Sequence, residues 1–157
     1  MCWHRAYSGI LDQSFLDSVT VETRLQRIQR KLNEGAQGLI RYEGSALTAL
    51  ALYGPTNLEP EAPTLAGAGE VTMLYVHPDV IGTGLGHKLL IATQDALISQ
   101  GYSTLCLDVF SANTRAIRFY ESHGYTRVCG FGLKIDHIPG HEYPLDIMMK
   151  MVNPTEV

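Results

Sequence analysis

The sequence feature that most restricts the fold is a glycine turn placed between an apolar strand and a helix. Val71 to Val76 has the composition of a β-strand, and Pro78 ends it because proline cannot continue a sheet ladder. Glycines then stand at positions 82, 84 and 86, followed by a predicted helix that ends near Gly101. This order leaves unpaired N–H groups at a helix N-terminus, where the helix dipole also favours an anion such as pyrophosphate.

The spacing of these glycines separates the turn from two common nucleotide-binding motifs. G-x-G-x-G is neither the G-x-G-x-x-G of a dinucleotide fold nor the G-x-x-x-x-G-K-[ST] of a P-loop. The preceding region is a predicted hairpin, Gly38–Tyr42 and Ala46–Tyr53 around the turn pair Glu43-Gly44, and not another strand-helix unit. Taken alone, the turn leaves open a phosphate site or a tight turn without a ligand.

A second strand-helix pair follows the first. Leu105 to Val109 alternates like a strand, and Asn113 is placed to cap a helix that Gly124 ends before Tyr125. The helix after the glycine turn is expected to bury one face, made of Leu85, Leu89, Ala92 and Ala96. From Glu70 onward, the chain is therefore predicted to alternate between strands and helices.

This arrangement resembles the GNAT superfamily of N-acetyltransferases, in its small bacterial type. The family's acetyl-CoA motif is Q/R-x-x-G-x-G/A after a strand, and Ile81 stands where the family has Gln or Arg. The opening at Tyr7 to Leu11 is also similar to that of bacterial members, so the resemblance covers nearly the whole chain. The family's later motif, L-x-V-x-x-x-N-x-x-A-x-x-F-Y-x-x-x-G-[FY], is matched by Leu107, Val109, Asn113, Ala116, Phe119, Tyr120, Gly124 and Tyr125.

The resemblance implies an α/β (α+β) fold, a mixed, twisted central sheet of about six strands flanked by helices. Two neighbouring parallel strands, at 70–76 and 104–109, are expected to splay apart. At 157 residues, the chain fits a single N-acetyltransferase domain, 1–157. The family's usual first strand is expected to be absent, because Trp3 to Ser8 is already predicted as helix, and the next strand would then lack a neighbour.

Two regions outside these motifs carry further expectations. Thr20 is placed to cap a helix whose apolar positions Leu25, Ile28 and Leu32 are expected in the core. Gly54 to Gly69 is rich in proline and glycine, which predicts a functional or mobile loop over the surface.

The resemblance further implies an acyltransferase that uses acetyl-CoA as co-substrate, without a metal. A primary amine of a small molecule or peptide attacks the thioester directly, in a ternary complex. The residues implied to bind the cofactor are Leu74, Tyr75, Val76, Ile81, Gly82, Thr83, Gly84, Leu85, Gly86, His87, Asn113 and Tyr120. Among them, main-chain groups of Leu74 to Val76 are implied to pair with the pantetheine arm as an added strand would.

Two side chains are implied to be catalytic. Glu70 stands eleven positions before Ile81, where histone-acetylating members carry a glutamate base, and an alkylammonium must lose a proton before it attacks. A water chain or His77 is the alternative base. Tyr120 matches the family's position for the acid that protonates the leaving thiolate. The N–H of Leu74, at a strand bulge, is implied to polarise the thioester carbonyl.

Charge and composition disfavour several other classes of protein. The net charge of −4 opposes binding to a phosphate backbone, so nucleic acid is not expected as a partner. No stretch approaches the roughly 20 apolar residues that span a bilayer, and the predicted location is the cytoplasm. His137 and His141 flank a Pro-Gly pair that prevents one helical face, which argues against a metal site. Reduced, mostly buried thiols are predicted for Cys2, Cys106 and Cys129, which lack C-x-x-C spacing.

Three functions from different classes remain open at this point. The first is an enzyme that acetylates an amine, and the second is a module that binds acetyl-CoA without efficient turnover. The third is an interaction protein that uses an exposed sheet edge, with a homodimer as one form. The identity of the amine acceptor does not follow from the sequence.

Overall fold

The computed structural model describes residues 2–134 and 142–153, and its centre is a mixed sheet. The described residues form six strands in the order β1-β2-β3-β4-β6-β5. The strands are β1 Gln37–Glu43, β2 Ala46–Pro55, β3 Gly69–Val76, β4 Thr104–Phe110, β5 Thr126–Lys134 and β6 Glu142–Met151. The helices are α1 Cys2–Tyr7, α2 Gln13–Ser18, α3 Val21–Asn33, α4 Leu85–Ser99 and α5 Thr114–Glu121. The predicted α/β class, with six strands flanked by helices, is confirmed.

The two parallel strands at the middle of the sheet stay together for only two residue pairs. Gly69 pairs with Leu105 and Glu70 with Cys106, and the ladder between β3 and β4 ends there. All other neighbouring strands pair antiparallel. Beyond Glu70, β3 also carries a bulge at Thr72, which is the extra residue in its pairing with β2. The predicted splay is confirmed, and it opens a cleft between the two strands.

Helices α4 and α5 pack on one face of this sheet. Alternation along β4 sends Leu105, Leu107 and Val109 into a core with Leu90 and Leu97 of α4. The stripe predicted for α4 is wrong at Ala92, which is exposed, whereas Ala96 is partly buried and packs against this core. Leu90 and Leu97, which the predicted stripe did not include, are fully buried in the same core.

The other face of the sheet is covered by α1, α2 and the segment before β3. Leu58, Leu65 and Ala68 of this segment are buried against Cys106 and Ile147, with one turn of 3-10 helix at 63–65. The prediction of a loop over the surface is therefore wrong for 54–69. This proline-rich segment carries enough apolar side chains to form a second core layer on the sheet.

Helix α3 begins and ends as predicted but packs with a different face. Thr20 caps it, since its Oγ1 accepts a hydrogen bond of 3.2 Å from the N–H of Thr23. Leu25 is 59 % exposed and Leu32 41 %, so their prediction as core residues is wrong. The partly buried positions of α3 include Arg24 and Ile28, one turn apart, and Lys31 one turn further on.

The hairpin β1–β2 forms the outer end of the sheet. Its turn is Gly44-Ser45, one residue later than predicted, and Gly44 has a φ of +60° that favours glycine. Within the described ranges, no strand pairs with the outer edge of β1. Ile40 and Tyr42 of β1 are more than half exposed, at 59 % and 56 %. In the described part of the chain, no helix is long and apolar enough to cross a membrane.

Candidate active site

The glycine turn holds a row of backbone N–H groups that have no partner in the described part of the chain. Gly82 and Gly84 have φ angles of +88° and +80°, a region in which other residues are strained. Lys88 is the first residue of α4 whose N–H is bonded, at 3.1 Å to the carbonyl of Gly84. The N–H groups that donate to none of the described residues are those of Gly82, Gly84, Leu85, Gly86 and His87. Such a cluster at a helix N-terminus can hold a pyrophosphate.

Polar side chains around this turn interact mainly with the chain itself. The hydroxyl of Thr83 donates to the carbonyl of Val80 at 2.7 Å, and Ile81 is exposed without contributing a donor. His123 Nδ1 lies 2.6 Å from the carbonyl of Phe119, so it must donate there. His87 Nδ1 lies 2.7 Å from His123 Nε2, and this hydrogen bond joins α4 to the end of α5.

The end of β3 offers both a free strand edge and a tyrosine side chain. Leu74 and Val76 pack toward Leu85 and Leu89 of α4, and Tyr75 faces the opposite side of the sheet. The edge of β3 that faces β4 has no pairing partner beyond Glu70 in the described chain. An extended ligand can add to such an edge. The bulge at Thr72 lies two residues before Leu74.

Glu70 is nearly enclosed, at 3 % exposure, at the point where the strands separate. Its Oε2 accepts hydrogen bonds from the Thr56 hydroxyl at 3.1 Å and from the N–H of Asn57 at 2.8 Å. The Cys106 thiol donates in turn to Thr56 Oγ1 at 3.3 Å, and burial raises the pKa of this thiol to about 12. The segment 54–69 thus fixes one carboxylate oxygen of Glu70 and leaves Oε1 unbonded among the described residues.

Tyr120 places a protonated phenol in the same region. Its ring packs edge-on against Phe119 and Tyr125, at centroid distances of 5.3 and 5.9 Å. Burial raises the pKa of Tyr120, and interaction with Tyr7 and with Asp108 adds to the effect. Its hydroxyl makes no hydrogen bond to any residue that the structure describes. The phenol can therefore donate its proton to a ligand.

Asp108 is a candidate site residue that the sequence analysis missed. It is partly buried on β4, and alternation places it on the same face as Cys106. Burial raises the pKa of Asp108, the neighbouring Glu70 carboxylate raises it further, and the Arg27 guanidinium opposes both. The available signal was a carboxylate inside an otherwise apolar strand, Leu105-Cys-Leu-Asp-Val109.

Asn113 occupies the position predicted for it at the start of α5. Its Oδ1 accepts from the N–H of Ala116 at 3.2 Å, so it caps the helix. The side-chain amide donor makes no hydrogen bond to a described residue and can serve a ligand. Among the described residues, no group of three His, Cys, Asp or Glu is arranged to hold a metal ion. His137 and His141 lie outside those residues.

Proteins with similar sequences include two mycothiol acetyltransferases. The one from Thermobispora bispora is 48 % identical over 59 residues, which are 38 % of this chain and 20 % of that protein. The one from Saccharopolyspora erythraea is 30 % identical over 124 residues, 79 % of this chain and 38 % of that protein. The chain therefore spans well under half the length of these curated relatives.

Solved structures with a similar fold are also acetyltransferases. The ribosomal-protein-S18-alanine N-acetyltransferase from Escherichia coli matches with a TM-score of 0.64 at 21 % identity, over 81 % of this chain and 76 % of that one. The PaiA N-acetyltransferase from Thermoplasma acidophilum, solved with coenzyme A, matches with a TM-score of 0.66 at 20 % identity, over 96 % and 86 %. At these identities, the likeness establishes the fold.

The family assignment rests on a match over most of the chain. The model of the acetyltransferase (GNAT) family matches residues 6–125, which include the glycine turn, the splayed strands and α5. The chain therefore belongs to the acetyltransferase (GNAT) family.

Proposed function

We propose that this chain moves the acetyl group of acetyl-CoA to a primary amine of a small molecule or peptide, by direct attack in a ternary complex. The observation that carries the proposal is the separation of β3 and β4 directly after Glu70. The carboxylates of Glu70 and Asp108 and the phenol of Tyr120 lie around this cleft. At the adjacent turn, five N–H groups donate to none of the described residues. The names of the sequence relatives support acetyl transfer in general, and one protein of similar fold is named for an alanine of ribosomal protein S18.

The donor would bind mainly through the backbone. Acetyl-CoA supplies an activated acetyl thioester when it is bound. The N–H groups of 82–87 would hold its pyrophosphate without a basic side chain, which suits a turn where Ile81 replaces Gln or Arg. The free edge of Leu74 to Val76 would pair with the pantetheine arm. The Leu74 N–H would polarise the thioester carbonyl.

One carboxylate would take the proton that the amine must lose. An alkylammonium has a pKa near 10, so little free amine exists at neutral pH. Glu70 would accept the proton through Oε1, because Thr56 and Asn57 occupy Oε2. Asp108 is the rival base, since its pKa is raised and it is less enclosed than Glu70. Tyr120 would donate its proton to the departing CoA thiolate.

A turnover screen tests this function. Purified protein is mixed with acetyl-CoA and a panel of amines, amino acids and peptides, and release of the CoA thiol is measured. We expect turnover with at least one acceptor. Thermal stabilisation by acetyl-CoA without release of thiol from any acceptor would instead indicate a binding module.

Two isosteric variants separate the candidate bases. Glu70→Gln is expected to lower kcat/KM near neutral pH, with partial recovery at high pH, where free amine is abundant. Asp108→Asn, measured over the same pH range, is the matched comparison because it removes the other carboxylate of the cleft. If Glu70→Gln keeps the wild-type profile and Asp108→Asn loses activity, the base is Asp108.

We also propose that residues 1–157 form one domain and that two copies associate through β1. Ile40 and Tyr42 expose apolar surface beside a strand edge without a partner in the described chain. In an antiparallel pairing centred on Tyr42, Arg41 of one copy would lie opposite Glu43 of the other, so the edge is complementary in charge to itself.

A further inference from the structure

Helix α3 faces the cleft with basic side chains. Arg24, Ile28 and Lys31 are its partly buried positions, whereas Leu25 and Leu32 are exposed. The Arg24 guanidinium donates a hydrogen bond to the Tyr75 hydroxyl and lies 5.1 Å from the centre of the same ring. This contact places α3 directly over the end of β3. The basic face of α3 is therefore part of the cleft wall.

The three cations of this face, Arg24, Arg27 and Lys31, differ in whether they already have a hydrogen-bond or ion-pair partner. Arg24 is bonded to Tyr75, and Lys31 Nζ lies 3.5 Å from a Glu34 carboxylate oxygen. Arg27 is exposed and forms no ion pair or hydrogen bond with a residue that the structure describes. Even so, Arg27 is close enough to Asp108 and to Tyr7 to act on both groups electrostatically.

The cleft thus has two regions of opposite charge. Glu70 and Asp108 lie inside it, where the ammonium of an acceptor must come before it is deprotonated. Arg27 is exposed at the rim, one turn after the Arg24 that contacts Tyr75, and its guanidinium has no ion pair with a described residue. The planar fork of this group matches the oxygens of a carboxylate or a phosphate. A simple alkylamine would satisfy the inner region only. An acceptor with an amine and a nearby oxyanion would satisfy both.

We propose that the preferred acceptor is a primary amine that carries a carboxylate or phosphate a few bonds from its nitrogen, and that Arg27 binds this oxyanion. The inference rests on the proposed function, because it names the substrate class for that same cleft. Arg27 acts as a specificity-determining residue, and the proton transfer remains with the carboxylates inside the cleft.

The test compares matched acceptors that differ only in the anionic group. L-Alanine is compared with L-alaninamide for a carboxylate, and O-phosphoethanolamine with ethanolamine for a phosphate. Each kcat/KM is normalised to the concentration of free amine at the assay pH. We expect one anionic member to exceed its neutral partner by roughly 10- to 100-fold, the range of one charge-assisted contact. The pair that shows the preference distinguishes carboxylate from phosphate.

Two variants of α3 show whether Arg27 is responsible. Arg27→Gln is expected to bring the ratio of kcat/KM between the anionic and the neutral acceptor close to one, through a higher KM for the anionic acceptor. Arg30→Gln is the control, because it removes the same charge from the same helix at an exposed position paired with Glu34 at 3.7 Å.

Three results would overturn the inference while the proposed function stands. The first is an equal kcat/KM for the anionic and the neutral acceptor of both pairs. The second is an equal loss of kcat/KM for both acceptors in Arg27→Gln. The third is the same loss of preference in Arg30→Gln as in Arg27→Gln. Absence of turnover with every amine would count against the proposed function and, with it, this inference.

Discussion

The replacement of Tyr120 by phenylalanine tests the proposed proton donor while it perturbs the fold very little. The change removes one oxygen and retains the ring that packs on Phe119 and Tyr125. The hydroxyl makes no hydrogen bond to a described residue, so no buried partner is left unsatisfied. We therefore expect the free energy of unfolding to change by less than about 1 kcal/mol.

The effect on the rate should be far larger than the effect on stability. Burial raises the pKa of Tyr120, so the phenol holds its proton at the pH of any practical assay. A positioned acid contributes about 10²- to 10⁴-fold to a proton-transfer step, which is about 2.7 to 5.5 kcal/mol of barrier. We expect kcat to fall by that factor. The KM for acetyl-CoA should change little, because the proton is donated only as the thiolate leaves.

The assay is the initial rate of CoA thiol release at saturating acetyl-CoA, with thermal unfolding of the same preparations. Tyr125→Phe is the control in the same aromatic cluster. Its hydroxyl accepts a hydrogen bond of 3.3 Å from Gln94, so we expect a loss of about 1 kcal/mol of stability and an unchanged kcat. A kcat for Tyr120→Phe within twofold of the wild type would refute the acid role.

Three further changes test the turn, the cleft and the sheet edge. Gly84→Val should weaken acetyl-CoA binding at least tenfold in calorimetry, because valine is strained at a φ of +80°; unchanged affinity would place the pyrophosphate elsewhere. The folded pKa of Asp108 is raised, so its ionised form costs stability at neutral pH. Asp108→Asn should therefore raise Tm at pH 7. The difference in Tm between variant and wild type should disappear below about pH 4, where the carboxyl is protonated in the unfolded state as well. A lower Tm of the variant at pH 7 would contradict this expectation. Ile40→Lys should shift the sedimentation equilibrium from dimer to monomer, and a monomeric wild type would reject the β1 interface.

Features of the fold set by short-range interactions were predictable from the sequence. The caps at Thr20 and Asn113 lie where the residue types indicate, since a capping oxygen reaches only an N–H two or three residues away. The glycines of the turn were predictable for a similar reason, because the need for glycine depends on the φ angle of a single residue. The order of strands and helices, and through it the α/β class, follows from such local signals.

The cleft required the tertiary structure. In the sequence, Asp108 is simply one residue of an alternating strand. In the structure, β3 and β4 separate, and Asp108 comes to lie near Glu70 and below α3. Periodicity predicted that Leu25 and Leu32 of α3 would pack in the core, yet the helix turns Arg24 and Lys31 inward.

The sequence by itself thus determined the elements, their order and the glycine turn, because each depends on neighbours a few residues away. Only the tertiary structure decided which face of α3 meets the cleft, that segment 54–69 is buried, and which two carboxylates share one space. The physical reason is that packing brings together surfaces that are far apart in the chain. At such contacts, the fit of side-chain volumes and the pairing of charges decide which residues are buried, and they outweigh local hydrophobic periodicity.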